Sequence, residues 1–409
     1  MVYLAKEMER QNFTVPLLIG GATTSKAHTA VKINPEYKNA VVHVNDASRA
    51  VTVVGDLLNK KSKEEYIANI KLDYAEFREK FLNRSKTKTF ITLEQARKNK
   101  VKIDWKNERI AAPKEMGVQV LKQLSLKELV PLIDWRPFFL SWDLHGKFPE
   151  ILKDEVVGEQ ATHLYKDAQK MLELIIAKQL LKPKAVFGLF KANTIQNEDI
   201  SVQKNGKEIA IFRTLRQQLK KSKTANIALA DFIAPKDSGL TDYIGAFAVA
   251  IFGADELAKS YRDQHDDYNG ILVQSIADRF AEALAEYVHK QIRTKHWGYA
   301  SNELLNNEEL IKESYKGIRP APGYPACPDH LEKETIWELL QVEKLIGVQL
   351  TESMAMWPAS AVSGYYFANE NAKYFGLGKI KEDQVIDYAN RKGISMEKAK
   401  KWLHPNLAE

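Results

Sequence analysis

Cysteine is almost absent: Cys327 is the only one in 409 residues, which excludes an internal disulfide, and no cluster of Cys and His has zinc-finger spacing. Long apolar runs are absent too. Ile244–Phe252 and similar runs are too short to cross a bilayer, and Met1–Ala5 lacks the basic start and apolar core of a signal peptide. A cytoplasmic chain without a membrane partner is therefore expected. No G-x-G-x-x-G pattern occurs, so Gly20-Gly21-Ala22 and the later Asn45-Asp46 only mimic a dinucleotide site. Repeats and low-complexity segments are also missing.

Positive charge is in excess, with a formal net charge of +7 and a pI of about 9.0. The basic residues are scattered. Their densest stretch, Lys80–Lys102, contains Glu94 and two widely separated rings, Phe81 and Phe90, which make no stacking platform for bases. No nucleic-acid partner is expected, and a basic surface of this kind suits an acidic protein. The charged fraction of 28% and apolar fraction of 44% are those of ordinary globular protein, and the length suits two or three domains.

Periodicity predicts a helix over Tyr3–Gln11, a strand over Thr14–Ile19, a helix near Ser25–Lys32, a strand over Ala40–Asn45 and a helix over Ala47–Leu58. Such alternation belongs to a parallel sheet with covering helices, but two strands are too few to complete one. The unit reads as an incomplete α/β Rossmann-like domain whose first half lies upstream. A charged helix over Glu64–Asn83, a polar stretch and a short helix over Leu93–Lys100 have the character of a linker that permits domain motion. Further on, helices are expected at Lys153–Gln179, Ala254–Asp263, Ile271–Lys295 and Glu332–Leu345. Strands are expected at Ala185–Leu189, Ile200–Gln203, Glu208–Arg213, Ile227–Ile233 and Tyr243–Ala250. Asn205-Gly206 between two of them predicts a hairpin, hence an antiparallel sheet in an α+β domain. The expected division is 1–68, 69–100 and 101–409.

Arg319-Pro-Ala-Pro-Gly-Tyr-Pro-Ala-Cys-Pro-Asp-His330 holds four prolines and a glycine in twelve residues. Proline fixes φ, removes a donor and disfavours helix in the residue before it, so the segment is a stiff, extended ribbon. Two readings stand: a loop that presents Arg319 and Tyr324 to a ligand, or a rigid surface connection into the next helix. With this ribbon, the segments Leu132-Ile-Asp-Trp-Arg-Pro-Phe-Phe139, Ser141-Trp-Asp-Leu-His-Gly-Lys147, Ser363-Gly-Tyr-Tyr-Phe-Ala-Asn369 and Ala372-Lys-Tyr-Phe375 resemble the activation domain of cobalamin-dependent methionine synthases. The resemblance runs from about Leu124 to Leu407, and Gln264-His-Asp-Asp-Tyr-Asn269 makes it specific. Upstream, Ala5–Arg10 and Pro16–His28 resemble the end of the cobalamin-binding domain of the same enzymes.

The resemblance implies a fragment of a methyltransferase of methionine biosynthesis that binds S-adenosylmethionine. Its role would be reductive methylation of cob(II)alamin to methylcobalamin, which reactivates the enzyme, and the fragment alone would not make methionine. Flavodoxin or a similar acidic reductase and the enzyme's upstream domains are the implied partners, and zinc would belong only to those upstream parts. By resemblance Asp134 binds the ligand's amino group, Arg319 its carboxylate, and Tyr374 with Phe375 the adenosine side, with Glu282 and Glu313 approaching the same cleft. Phe375 stands where the family often has a second tyrosine, so that hydroxyl is lost. Gly20, Gly21, Thr23 and Ala47 would line the channel for the cobalamin tail, and Tyr324 would face the corrin.

Plainer readings accompany several of these. Gly20, Gly21 and Thr23 could serve an ordinary turn and cap, and Asp278, Glu282 and Glu286, spaced i, i+4, could be a solvated helix face. His145 carries no assignment, because Asp143-Leu-His-Gly146 has the wrong spacing for the family's cobalt-ligand motif, and no metal is assigned to Gln264–Asp267. Two other functions compete: a non-catalytic cobalamin or S-adenosylmethionine module, and a separate S-adenosylmethionine-dependent methyltransferase, which would need an acceptor pocket of its own.

Overall fold

The computed structural model describes residues 1–20, 25–44, 47–59, 63–86, 89–122 and 124–408, divided between two compact units, Met1–Thr89 and Phe90–Glu409. In the first unit, strands β1 (Leu17–Gly20) and β2 (Val41–Val44) pair in parallel. Side chains alternate across a strand, so one face of the pair packs Ile19 and Val41 on Ala5, Ile33 and Tyr37, while the other packs Ala40 and Val42 on Leu57. Helices Val2–Arg10 and Ala47–Leu58 fall within about a residue of their expected bounds. The 24-residue helix Lys63–Lys86 runs through position 68, where the sequence suggests a boundary. It is tied to the strands, since the His43 N–H donates to Tyr74 Oη at 2.8 Å.

In the second unit, strands β3 (Gly117–Leu121), β4 (Lys182–Ile195), β5 (Asp199–Lys204), β6 (Lys207–Arg213) and β7 (Asp242–Phe252) lie in one antiparallel sheet that also contains Ala361–Tyr366. The short ladder Gln349–Leu350 (β8) with Met356–Trp357 (β9) lies apart, which makes Ala361–Tyr366 β10. The order is β10-β7-β4-β5-β6, with β3 and β5 on successive halves of one edge of β4. Ala185, Phe187, Leu189, Phe247 and Val249 point to one face, against Phe280, Leu284 and Val288 of the Asp267–Gln291 helix and Leu164 and Met171 of the Gly158–Ala177 helix. Val186, Phe190, Ala246 and Ala248 point to the other, against Ile336, Leu340 and Val342. Burial on both faces explains why β4 and β7 read as continuous apolar runs. The α+β architecture and the Asn205-Gly206 hairpin are those expected from the sequence.

Two local expectations fail for identifiable reasons. Ile227–Ile233 is not a strand. Its centre, Leu229–Phe232, is a 3-10 turn in which the Asp231 carboxylate accepts the Ala228 N–H and binds the buried Arg216 guanidinium at 2.7 Å, so side-chain groups replace a ladder. The helix Glu332–Leu345 is two, Glu332–Leu340 and Val342–Ile346, broken at Gln341 with φ of +52°. The helix expected near Ser25–Lys32 is present: Ser25 caps an α turn over Lys26–His28 that widens into a π-turn over Thr29–Ile33. Among the described residues no helix is long and apolar enough to cross a membrane.

The proline-rich ribbon joins the sheet edge. Ile318 and Phe367 exchange two backbone hydrogen bonds of 3.0 Å, and the Tyr365 N–H donates to Pro320 O at 2.9 Å. A Cβ on Gly364 would lie 2.5 Å from that carbonyl, so only glycine lets the ribbon dock so closely on β10. Its far end is held by the C-terminal helices: Tyr388 Oη donates to Asp329, and Lys392 pairs with Glu332 at 2.5 Å.

Candidate functional site

Two adjoining cavities, of about 330 and 570 Å³, share Glu282, Glu313 and Arg319 and form one cleft beside the ribbon. The smaller is lined by Leu132, Asp134, Pro137, Arg279, Glu286 and Asn307 in addition, and the larger by Phe247, Pro320, Ala321, Tyr324, Val362, Tyr374 and Phe375. Asp134, Glu282, Glu313, Arg319, Tyr374 and Phe375 all line it, although they come from the start, middle and end of the second unit. Tyr324, 57% exposed, stands at its mouth.

Asp134 is the N-cap of the Trp135–Ser141 helix. Its Oδ1 accepts the Arg136 N–H at 2.9 Å, the duty a helix start demands, and its Oδ2 has no partner among the described residues. One carboxylate thus serves as a cap and leaves an acceptor for the cleft. Glu282 lies on the Asp267–Gln291 helix, which begins with Asp266 as its own cap, and makes no hydrogen bond to a described residue. Glu313 follows the Asn307–Ile311 helix with φ of +55°, and burial raises its pKa. Phe375 packs on the apolar cluster under β10.

Arg319 is fixed from behind. Its Nη1 donates to Glu286 Oε2 at 2.5 Å, to Tyr315 Oη at 3.2 Å and lies 3.2 Å from His289 Nδ1. Burial opposes the guanidinium charge, and Glu286 together with the Tyr315 and Tyr374 hydroxyls more than offsets this. Its Nε and Nη2 have no partner among the described residues, which leaves one edge of the planar fork for an anion. Glu286 also meets Arg293 at 3.3 Å, and Arg293 pairs with Glu303 at 2.7 Å, so two guanidiniums and two carboxylates balance. His289 is wholly buried and burial pushes its pKa far down, so it is a neutral acceptor to Arg319.

Sequence reasoning places Glu286 only on a charged face and does not identify His289, Arg293, Tyr315 or Arg279. The signal is present in part. Glu282, Glu286, His289 and Arg293 recur at spacings of four, three and four, one side of a helix, but their link to Arg319 crosses about 30 residues of chain.

Gly20 ends β1 beside Val44 at the end of β2. Gly21 and Thr23 lie outside the described residues, and Ala47 opens the Ala47–Leu58 helix with its side chain outside them.

Residues 125–393, which contain all six residues named for the cleft, match the family model described as "Vitamin B12 dependent methionine synthase, activation domain". Among solved structures, the chain is similar to one described as "Crystal Structure of the MetH Reactivation Domain bound to AdoHcy". The two are 51% identical with a TM-score of 0.76, over 78% of this chain and 99% of that one.

Proposed function

This chain belongs to the family of vitamin B12-dependent methionine synthase activation domains, and from that premise we propose that the cleft binds S-adenosylmethionine for the reductive methylation of cob(II)alamin. One observation carries the reading: a carboxylate oxygen at Asp134 and the Nε and Nη2 of Arg319, none partnered among the described residues, line one cleft with an aromatic wall. Asp134 Oδ2 accepts from the ligand ammonium, and the free edge of Arg319 grips the carboxylate in a two-pronged hydrogen bond. Tyr374 and Phe375 pack along the adenosine.

Glu282 and Glu313 set the charge. The bound ligand is a cation at sulfur, and two carboxylates that form no ion pair with a described residue favour it over the uncharged thioether left when the methyl group departs. Substrate is thereby held more tightly than product. The residues orient and hold charge, and the methyl transfer needs no proton abstracted by a side chain. Gly20 stands at the carboxyl end of a parallel strand pair, where α/β folds take ligands, and this fits a cobalamin tail passing Gly20, Gly21, Thr23 and Ala47. When bound, cobalamin supplies the cobalt nucleophile that accepts the methyl group. The same reading gives a cytoplasmic setting, upstream domains of the enzyme as partners, and an acidic flavodoxin-like electron donor, favoured by the net charge of +7.

Calorimetric titration with S-adenosylmethionine tests the proposal. Wild type is expected to bind saturably, and Arg319→Ala to lose about 100-fold or more in affinity, the order expected when a charge-assisted pair is removed. Well-folded wild type that takes up no heat, or an Arg319→Ala variant that binds as wild type does, would sink it.

A further inference from the structure

Three contacts at the back of the cleft close a ring. Arg319 Nη1 donates to Tyr315 Oη at 3.2 Å, Tyr315 Oη and Tyr374 Oη lie 3.1 Å apart, and the Arg319 backbone N–H donates to Tyr374 Oη at 3.0 Å. The guanidinium of Arg319, which both cavities share, and the phenol on the wall of the larger are thus joined through Tyr315.

The proton directions in this ring can be deduced. Burial holds the Tyr315 phenol far above its usual pKa, so it keeps its proton. If Tyr374 donated to Tyr315, the Tyr315 proton would be left in the interior with no acceptor among the described residues, a loss of about 1–3 kcal/mol. If Tyr315 donates to Tyr374, each buried donor within the three-contact ring has an acceptor, and the leftover proton is that of Tyr374, which is 37% exposed and lines the cleft. The second arrangement wins on energy. Tyr374 Oη then accepts twice, from Tyr315 and from the Arg319 N–H, and can only donate forward.

Tyr315 is itself held firmly. It is 8% exposed, its ring lies 4.3 Å from the Arg293 guanidinium carbon, and His289 meets it edge-on at 4.8 Å. We propose that Tyr315 is a positioning residue that couples the two ends of the cleft: it orients the Arg319 guanidinium toward a carboxylate and obliges Tyr374 to act as a hydrogen-bond donor to the ligand. This rests on the cleft taking S-adenosylmethionine.

Tyr315→Phe keeps the ring contacts and removes only the hydroxyl. The test is titration of wild type and the variant with S-adenosylmethionine and with decarboxylated S-adenosylmethionine, which offers Arg319 nothing to grip. The variant is expected to lose affinity for the first ligand by about 10-fold and for the second by about 3-fold or less, since only the Tyr374 half of the coupling remains. An equal loss for both ligands, or no loss, overturns the coupling while leaving the binding site in place. No binding by wild type would instead defeat the proposed function. Should Tyr315→Phe fold poorly by melting temperature, Tyr374→Phe breaks the ring from its exposed end and must again penalise the carboxylated ligand more.

Discussion

Replacing Gly323 by alanine tests whether the ribbon's geometry is required by its surroundings. Gly323 has φ of +94°, and its N–H donates to Cys327 O at 2.7 Å, closing the tight turn that carries Tyr324. A Cβ there would lie 2.3, 2.7 and 2.8 Å from three atoms of the His330 ring, inside any permitted contact. That ring cannot simply swing aside, because Lys333 Nζ approaches its Nδ1 at 3.1 Å. The left-handed backbone contributes about 1–2 kcal/mol of destabilisation and the overlap about 1–3 kcal/mol, so about 2–5 kcal/mol is expected in all. Gly378 is the matched control: its φ is +73° and nothing lies within 4 Å of its added Cβ, so Gly378→Ala should cost only the backbone part, about 1–2 kcal/mol. Urea unfolding followed by tryptophan fluorescence separates the two. Because Gly323 lies between Arg319 and Tyr324, its variant should also bind S-adenosylmethionine more weakly than Gly378→Ala. Equal destabilisation by the two substitutions would refute the claim that His330 packs the ribbon into place.

Two further outcomes follow from buried groups in the second unit. Asp242 is 8% exposed, and burial pushes its carboxyl from 3.8 up to about 6 against the opposing N–H donors of Ala234 and Tyr243. The folded protein keeps a proton that the unfolded chain releases, so this group's contribution is present below about pH 4 and lost as pH rises through 6. Relative to Asp242→Asn, wild-type stability should therefore fall by about 2–2.5 kcal/mol between pH 4 and pH 7, measured by denaturant unfolding at each pH. A constant difference between the two proteins would rule this out. Cys327 is 5% exposed, and burial raises its thiol pKa well above the ordinary value. Ellman's reagent should leave the native protein essentially unlabelled and titrate one thiol per chain once it is unfolded, whereas rapid native labelling would contradict the packing around the ribbon.

Much of this protein is legible in its sequence. The 25-residue helix Asp267–Gln291 announces itself by apolar periodicity, the β5–β6 hairpin by Asn205-Gly206, and the stiff ribbon by its prolines, because each depends on neighbours within a few residues. Asp134 and Arg319 stand out by motif resemblance, which carries information that local physics does not. Tertiary structure alone decides the rest. Ile227–Ile233 has a strand's composition, yet the Arg216 guanidinium, held by Glu198 on a backbone that Gln384 fixes, draws Asp231 inward and bends the segment into a turn. Similarly, nothing near Glu286 in the chain marks it as the partner of Arg319, 33 residues further on. Periodicity reports which face of an element is buried, whereas the pairing of a buried charge depends on what the fold sets opposite it, and the chain within a few residues of either partner does not specify that.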